Sequence, residues 1–91
     1  VLVRVVWTPS AIADLRAIRA YVAQFSPHAA QRLSARLTAA ARGLETYPDR
    51  GRPITRGRRE LTIISPYLIR YIHEEGRVII LEIRHGAREP D

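Results

Sequence analysis

Twice in its first thirty residues the chain carries the same punctuation, a hydroxyl residue followed at once by proline: Thr8-Pro9 and Ser26-Pro27. A serine or threonine at a helix N-cap accepts from a free amide of the first turn, and proline at the first helical position forfeits no hydrogen bond. Each pair therefore predicts a helix start. After Thr8, the residues Ala11, Leu15, Ile18, Val22 and Phe25 recur at alternating steps of four and three, one apolar stripe along a helix. Asp14, Arg16 and Arg19 lie off it. After Ser26 the stripe is Ala30, Leu33, Leu37, Ala40 and Leu44, with Arg32, Arg36 and Arg42 facing elsewhere. The second cap follows the first stripe with almost no connection, so the two helices form a hairpin. Alanines in both stripes let them lie close together.

The rest of the chain reads as strands. Residues 2–7 are Val-rich and end on Trp7, a core-edge anchor. Residues 47–57 hold two prolines, two glycines and three arginines and read as a loop. Three strands follow, over 59–65, 67–73 and 77–84, with Pro66 marking the turn between the first two. Glu74-Glu75-Gly76 reads as a three-residue hairpin turn. That turn pairs His73 with Arg77, Tyr71 with Ile79, Ile69 with Leu81 and Tyr67 with Ile83. This apolar face should lie under the helices, with Leu15, Ile18, Leu33, Leu37, Ile69 and Leu81 in the core. The other face carries Leu68, Arg70, Ile72, Val78, Ile80, Glu82 and Arg84. The expected fold is α+β in the order β-α-α-β-β-β, a helical hairpin on one face of a small antiparallel sheet.

Ninety-one residues leave room for one domain, 1–91, and no second core. A domain this small buries only roughly 60–65% of its unfolded surface, so a partner would help it. An apolar content of 46% excludes a disordered tail. No apolar run reaches the ~18 residues of a membrane span, and no secretory leader is expected. Zero cysteines exclude a disulfide framework, a zinc finger and a thiol nucleophile, which fits a cytoplasmic protein. All fifteen basic residues are arginine; against nine carboxylates they leave a net charge of +6. Every cation is thus a planar fork suited to carboxylate or phosphate, and a small domain this basic meets a polyanion or an acidic partner.

The residues that could carry chemistry are few. There is no Gly-rich phosphate loop, metal-ligand cluster or Ser-His-Asp pattern, so neither metal nor cofactor is expected. His28 and His73 read as surface residues. His85 lies in Arg84-His85-Gly86-Ala87-Arg88, where an imidazole between guanidiniums could move a proton beside a phosphodiester; it could equally be a strand-end histidine among solvated arginines. Arg50, Arg52, Arg56, Arg58 and Arg59 form the densest basic run, either a grip on phosphate or carboxylate or a solvated loop. Glu60 could bridge to Arg59 or Arg84, or simply help pair the sheet's surface.

Taken in order, several pieces resemble the RelE/ParE superfamily of toxins from bacterial toxin–antitoxin systems. They are Trp7-Thr8-Pro9, Ala13-Asp14-Leu15 with Ile18, Tyr21-Val22, Ala29-Ala30, Leu44, Tyr47-Pro48, Gly51-Arg52, Arg59-Glu60-Leu61, Pro66-Tyr67 with Tyr71, and His85-Gly86-Ala87-Arg88. The resemblance covers nearly the whole chain. It implies a growth-inhibiting toxin, of the kind that stabilises plasmids, neutralised by a cognate antitoxin. The antitoxin's acidic C-terminal segment wraps the toxin and its N-terminal part binds operator DNA. On the half-apolar sheet face, that segment would cover Leu68, Ile72, Val78 and Ile80.

Two activities are found in the superfamily. RelE-like members cut mRNA in the ribosomal A site; ParE-like members poison DNA gyrase. For a nuclease, His85 and Glu60 are the candidate acid and base, with Arg59, Arg84 and Arg88 clamping phosphate. Arg50, Arg52, Arg56, Arg58 and Arg70 are candidate contacts to target or phosphate. RelE-like nucleases carry arginine one residue after the aromatic that opens the middle hairpin strand, whereas here Leu68 follows Tyr67 and Arg70 comes two later. Lysines are absent and no tyrosine follows Tyr71. These departures favour the ParE-like branch. The alternatives are a ribosome-dependent endoribonuclease and an inactive member that only binds antitoxin.

Overall fold

In a computed structural model, residues 2–86 are described. Strand β1 (Arg4–Trp7) leads into helix α1 (Pro9–Ala23), followed by helix α2 (Pro27–Arg42), a 3-10 turn at Gly43–Glu45, and strands β2 (Arg52–Pro53), β3 (Arg59–Ile64), β4 (Tyr67–Glu74) and β5 (Arg77–His85). Both helix starts form as expected. The Thr8 hydroxyl accepts from Ala11 N–H at 3.1 Å, and the Ser26 hydroxyl from Ala29 N–H at 3.1 Å. Thr8 also donates to the carbonyls of Ile80 and Leu81, which ties the cap to β5.

The two helices pack on a five-stranded mixed sheet of order β1-β5-β4-β3-β2. β3, β4 and β5 form an antiparallel meander, whereas β1 runs parallel to β5. β2, two residues long and read from sequence as loop, adds an antiparallel edge beside β3.

The register differs from the sequence expectation. Glu74 pairs with Arg77, leaving a two-residue turn, Glu75-Gly76, with φ of 49° and 77°. Two successive positive φ values are the type I′ signature, whose twist matches the flanking strands. One residue fewer in the turn exchanges the faces of β5 next to it. Tyr71 therefore opposes Ile80, and His73 opposes Val78. A register shift between Arg70 and Tyr71 then restores the expected face, so that Ile69 opposes Ile83. On β5 this shift leaves Leu81 as the extra residue. α1 stabilises it: besides the Thr8 bonds, Asp14 accepts from Ile83 N–H at 2.9 Å.

The core consists of Ala11, Leu37, Ala40, Ala41, Leu44, Leu61, Ile64, Ile69, Tyr71, Val78, Ile80 and Ile83, with Leu15, Ile18, Leu33 and Trp7 packed against it. Three expectations are corrected. Val78 and Ile80 are fully buried, and Leu81 is only half-buried, because of the register. Phe25 is 73% exposed, because α1 ends at Ala23 and the helical period no longer aims it.

Candidate functional site

The sheet face away from the helices carries a chain of alternating charges across four strands. Cross-strand neighbours share a face, and the pairs Arg52–Glu60, Glu60–Arg70 and Arg70–Glu82 are in register. Arg52 Nη2 meets Glu60 Oε1 at 2.7 Å, and Arg70 Nε meets Glu60 Oε2 at 2.9 Å. Glu82 then lies 3.4 Å from Arg70 and 3.5 Å from Arg84. Glu60 and Arg70 are 4% and 2% exposed, so each charge depends on its neighbours. Arg70, expected to touch a target, is instead buried in this lattice. Glu60, a candidate base, has both carboxylate oxygens engaged by guanidiniums, from Arg52 and Arg70 rather than from Arg59 or Arg84.

His85 lies on the opposite face. It pairs with Tyr67 across the strands, and their rings meet edge-on at 5.4 Å. The two rings line a cleft of about 200 Å³ with Ala17, Ile18 and Tyr21 of α1. Nδ1 of His85 is buried, with no hydrogen-bond partner among the described residues. Adjacent strand residues point to opposite faces, so Arg84 and His85 diverge. Arg88 lies outside the described residues.

A third cluster anchors the loop before β2. The Tyr71 hydroxyl, at the end of a fully buried side chain, accepts from Gly51 N–H and donates to Pro48 C=O, both at 2.8 Å. Arg59 donates to the carbonyls of Asp49 and Gly51 at 3.1 and 2.8 Å. Asp49 Oδ1 lies 2.8 Å from His73 Nδ1 and 3.4 Å from Arg59 Nε. The hydrogen bond from His73, aided by the charges of Arg59 and His73, holds the Asp49 carboxyl below its ordinary pKa; burial pushes the Tyr71 phenol up. Arg59 is thus a loop clamp, and His73 is half-buried rather than a surface residue. Gly51 is required here: a Cβ would sit 2.8 Å from the Tyr71 ring and hydroxyl.

Arg50, Arg52, Arg56 and Arg58 are the exposed or half-exposed cations of this end. Arg58 folds back onto Thr55, bonding its carbonyl and hydroxyl at 3.1 Å each, and Arg56 stands at the tip with φ of 63°.

A family model described as the ParE toxin of the type II toxin–antitoxin system parDE matches residues 5–90. The chain belongs to the ParE toxin family. It is 54% identical over 87 residues to Toxin RelE2 of Caulobacter vibrioides, covering 96% of this chain and 99% of that protein. A solved chain of the chromosomal ParDE system from P. aeruginosa is 27% identical, with a TM-score of 0.81 over 92% of this chain and 96% of that one. This ParE-family protein is therefore a toxin of a type II toxin–antitoxin system, and such a toxin has a cognate antitoxin.

Of the apolar residues expected to meet the antitoxin, Leu68 and Ile72 are half-buried on the charged sheet face, while Val78 and Ile80 belong to the toxin's own core. Besides Leu2 and Tyr47, the large exposed apolar side chains lie on α1 and just after it. Ile12, Tyr21 and Phe25 are 39%, 47% and 73% exposed, with the last two rings in edge contact at 5.5 Å. Sequence reading missed the Asp49–His73–Arg59 clasp, whose members lie up to 24 residues apart with no local signal. A tyrosine in mid-strand and a glycine in a proline-rich loop were the only hints of the Tyr71–Gly51 bond. Among the described residues, no His, Asp and Glu group is placed to hold a metal ion, and no helix is long and apolar enough to cross a membrane.

Proposed function

We propose that this toxin arrests growth by poisoning DNA gyrase, and that its antitoxin neutralises it by covering exposed apolar surface with an acidic amphipathic segment. The observation that carries this reading over mRNA cleavage is the separation of the candidate catalytic groups. Cleavage by the 2′-hydroxyl needs a base, an acid and phosphate-binding cations around one phosphodiester. Here His85 is under α1, while Glu60 and Arg84 are on the opposite sheet face in ion pairs, and Arg59 is committed to the Asp49–Gly51 loop. Arginine stays protonated near neutrality and is a poor base. The ParE family match, the likeness to a ParDE chain and the relative named Toxin RelE2 support the toxin role on which this reading builds.

The test is His85→Ala expressed without antitoxin. On this reading toxicity stays within a few-fold of wild type, and arrested cells show DNA breaks and filamentation. On the nuclease reading, losing a general acid or base removes ~100–10,000-fold of the activity. Codon-positioned stops in primer extension on translated message, abolished by His85→Ala, would overturn the gyrase reading.

A further inference from the structure

The loop before β2 is held far more tightly than a connection requires. Three side chains of β3 and β4 grip its backbone from beneath: Tyr71 at Pro48 and Gly51, Arg59 at Asp49 and Gly51, and His73 through the Asp49 carboxylate. Within the loop, Arg50 N–H returns to Tyr47 C=O at 3.1 Å, and Tyr47 N–H to Gly43 C=O at 3.2 Å. What this frame holds outward is a tyrosine and an arginine. Tyr47 is 67% exposed, and the Arg50 side chain has no hydrogen-bond or ion-pair partner among the described residues. They border an open concavity of about 710 Å³ formed by Thr46, Tyr47, Pro48, Asp49 and Arg50.

We infer that this loop is the toxin's docking element for its target protein, with Tyr47 as apolar anchor and Arg50 as charge anchor. Tyrosine and arginine are residue types that carry most of the energy in protein interfaces. Fixing the backbone that carries them removes the loop-ordering part of the cost of binding. The sign of the surface is set too. The one acidic group of the loop, Asp49, is answered by His73 and Arg59, so the loop presents the positive charge of Arg50; Arg52, which follows it in β2, is 68% exposed but paired with Glu60. The occupant is a folded protein surface with an apolar pocket edged by carboxylates; under the proposed function, on which this identification rests, that protein is gyrase. A rigid loop suits a preformed surface, whereas a segment that folds on binding needs extended apolar ground. Such ground lies at the other end of β4, beside Tyr67, Tyr21 and Phe25. Four residues of strand separate Tyr67 from Tyr71, roughly 13 Å.

The experiment compares the full-length toxin with Tyr47→Ala and Arg50→Glu variants in gyrase inhibition, growth arrest, antitoxin affinity and thermal melting. Both sites are exposed, so folding and antitoxin affinity should match wild type. The concentration for half-inhibition of gyrase should rise ~10-fold or more, and growth arrest should weaken in step. A smaller rise overturns the proposal, as does a loss of antitoxin affinity with toxicity retained, which would make the loop an antitoxin contact. If wild type leaves gyrase untouched, the gyrase reading falls by itself. Growth arrest then still judges the loop, and fully toxic variants overturn it.

Discussion

Tyr71 shows how much one side chain can decide. Its ring fills the core under the helices, and its hydroxyl serves one donor and one acceptor of a loop 20 and 23 residues upstream. Tyr71→Phe keeps the ring but leaves Gly51 N–H and Pro48 C=O unsatisfied. The expected loss is about 1–3 kcal/mol in chemical denaturation, and a change within experimental error would mean that water replaces the hydroxyl without cost. Asp49 adds a pH dependence to the same loop. Its folded pKa is lowered, chiefly by the His73 hydrogen bond, so its contribution is present above the unfolded carboxylate value and is lost as the pH falls through the lower folded value. The clasp should be intact near neutrality and open only in acid. Amide and histidine NMR signals of 47–51 and His73 followed from pH 7 down to 2 would show it, and Asp49→Asn should remove the transition.

At the scale of elements, the β4–β5 turn selects which residues of β5 are core. Glu75 has φ of 49°, a conformation in which asparagine and glycine are far more at ease than glutamate. Glu75→Asn should stabilise the protein by roughly 0.5–1 kcal/mol while leaving the register unchanged. Backbone NOEs between Glu74 and Arg77 are the check; pairing of His73 with Arg77 would restore the three-residue turn. The helices offer the contrast. Their starts were legible because cap and proline act within one turn, and their stripes because burial follows the 3.6-residue period. The faces of β4 and of the end of β5 were legible in the same way, but those of β5 beside the turn were not, since one residue more or fewer in a turn moves the adjoining side chains across the sheet.

For the whole molecule, a short chain with one small core is marginal alone, and any partner that binds only the folded state raises its apparent stability. Melting temperature should therefore rise with antitoxin concentration, by about 2.7 kcal/mol of stabilisation at 100 times Kd. The effect should persist in Tyr47→Ala, because the proposed antitoxin and target surfaces lie at different ends of β4. A melting point independent of antitoxin would contradict the partnership.

The sequence by itself determined the α+β order, the helical hairpin and the ordered residues that resemble the RelE/ParE toxins. All of these rest on local signals: caps, periodicity, punctuation by Gly and Pro, and composition. Only the tertiary structure decided that β1 runs parallel to β5, that Val78 and Ile80 are core, that Glu60 and Arg70 are buried partners, and that Glu60 and His85 lie on opposite faces. Each of these depends on strand register or on contacts between residues distant in the chain. The energy of a buried ion pair or an extra residue in a strand is set by neighbours that no local pattern names.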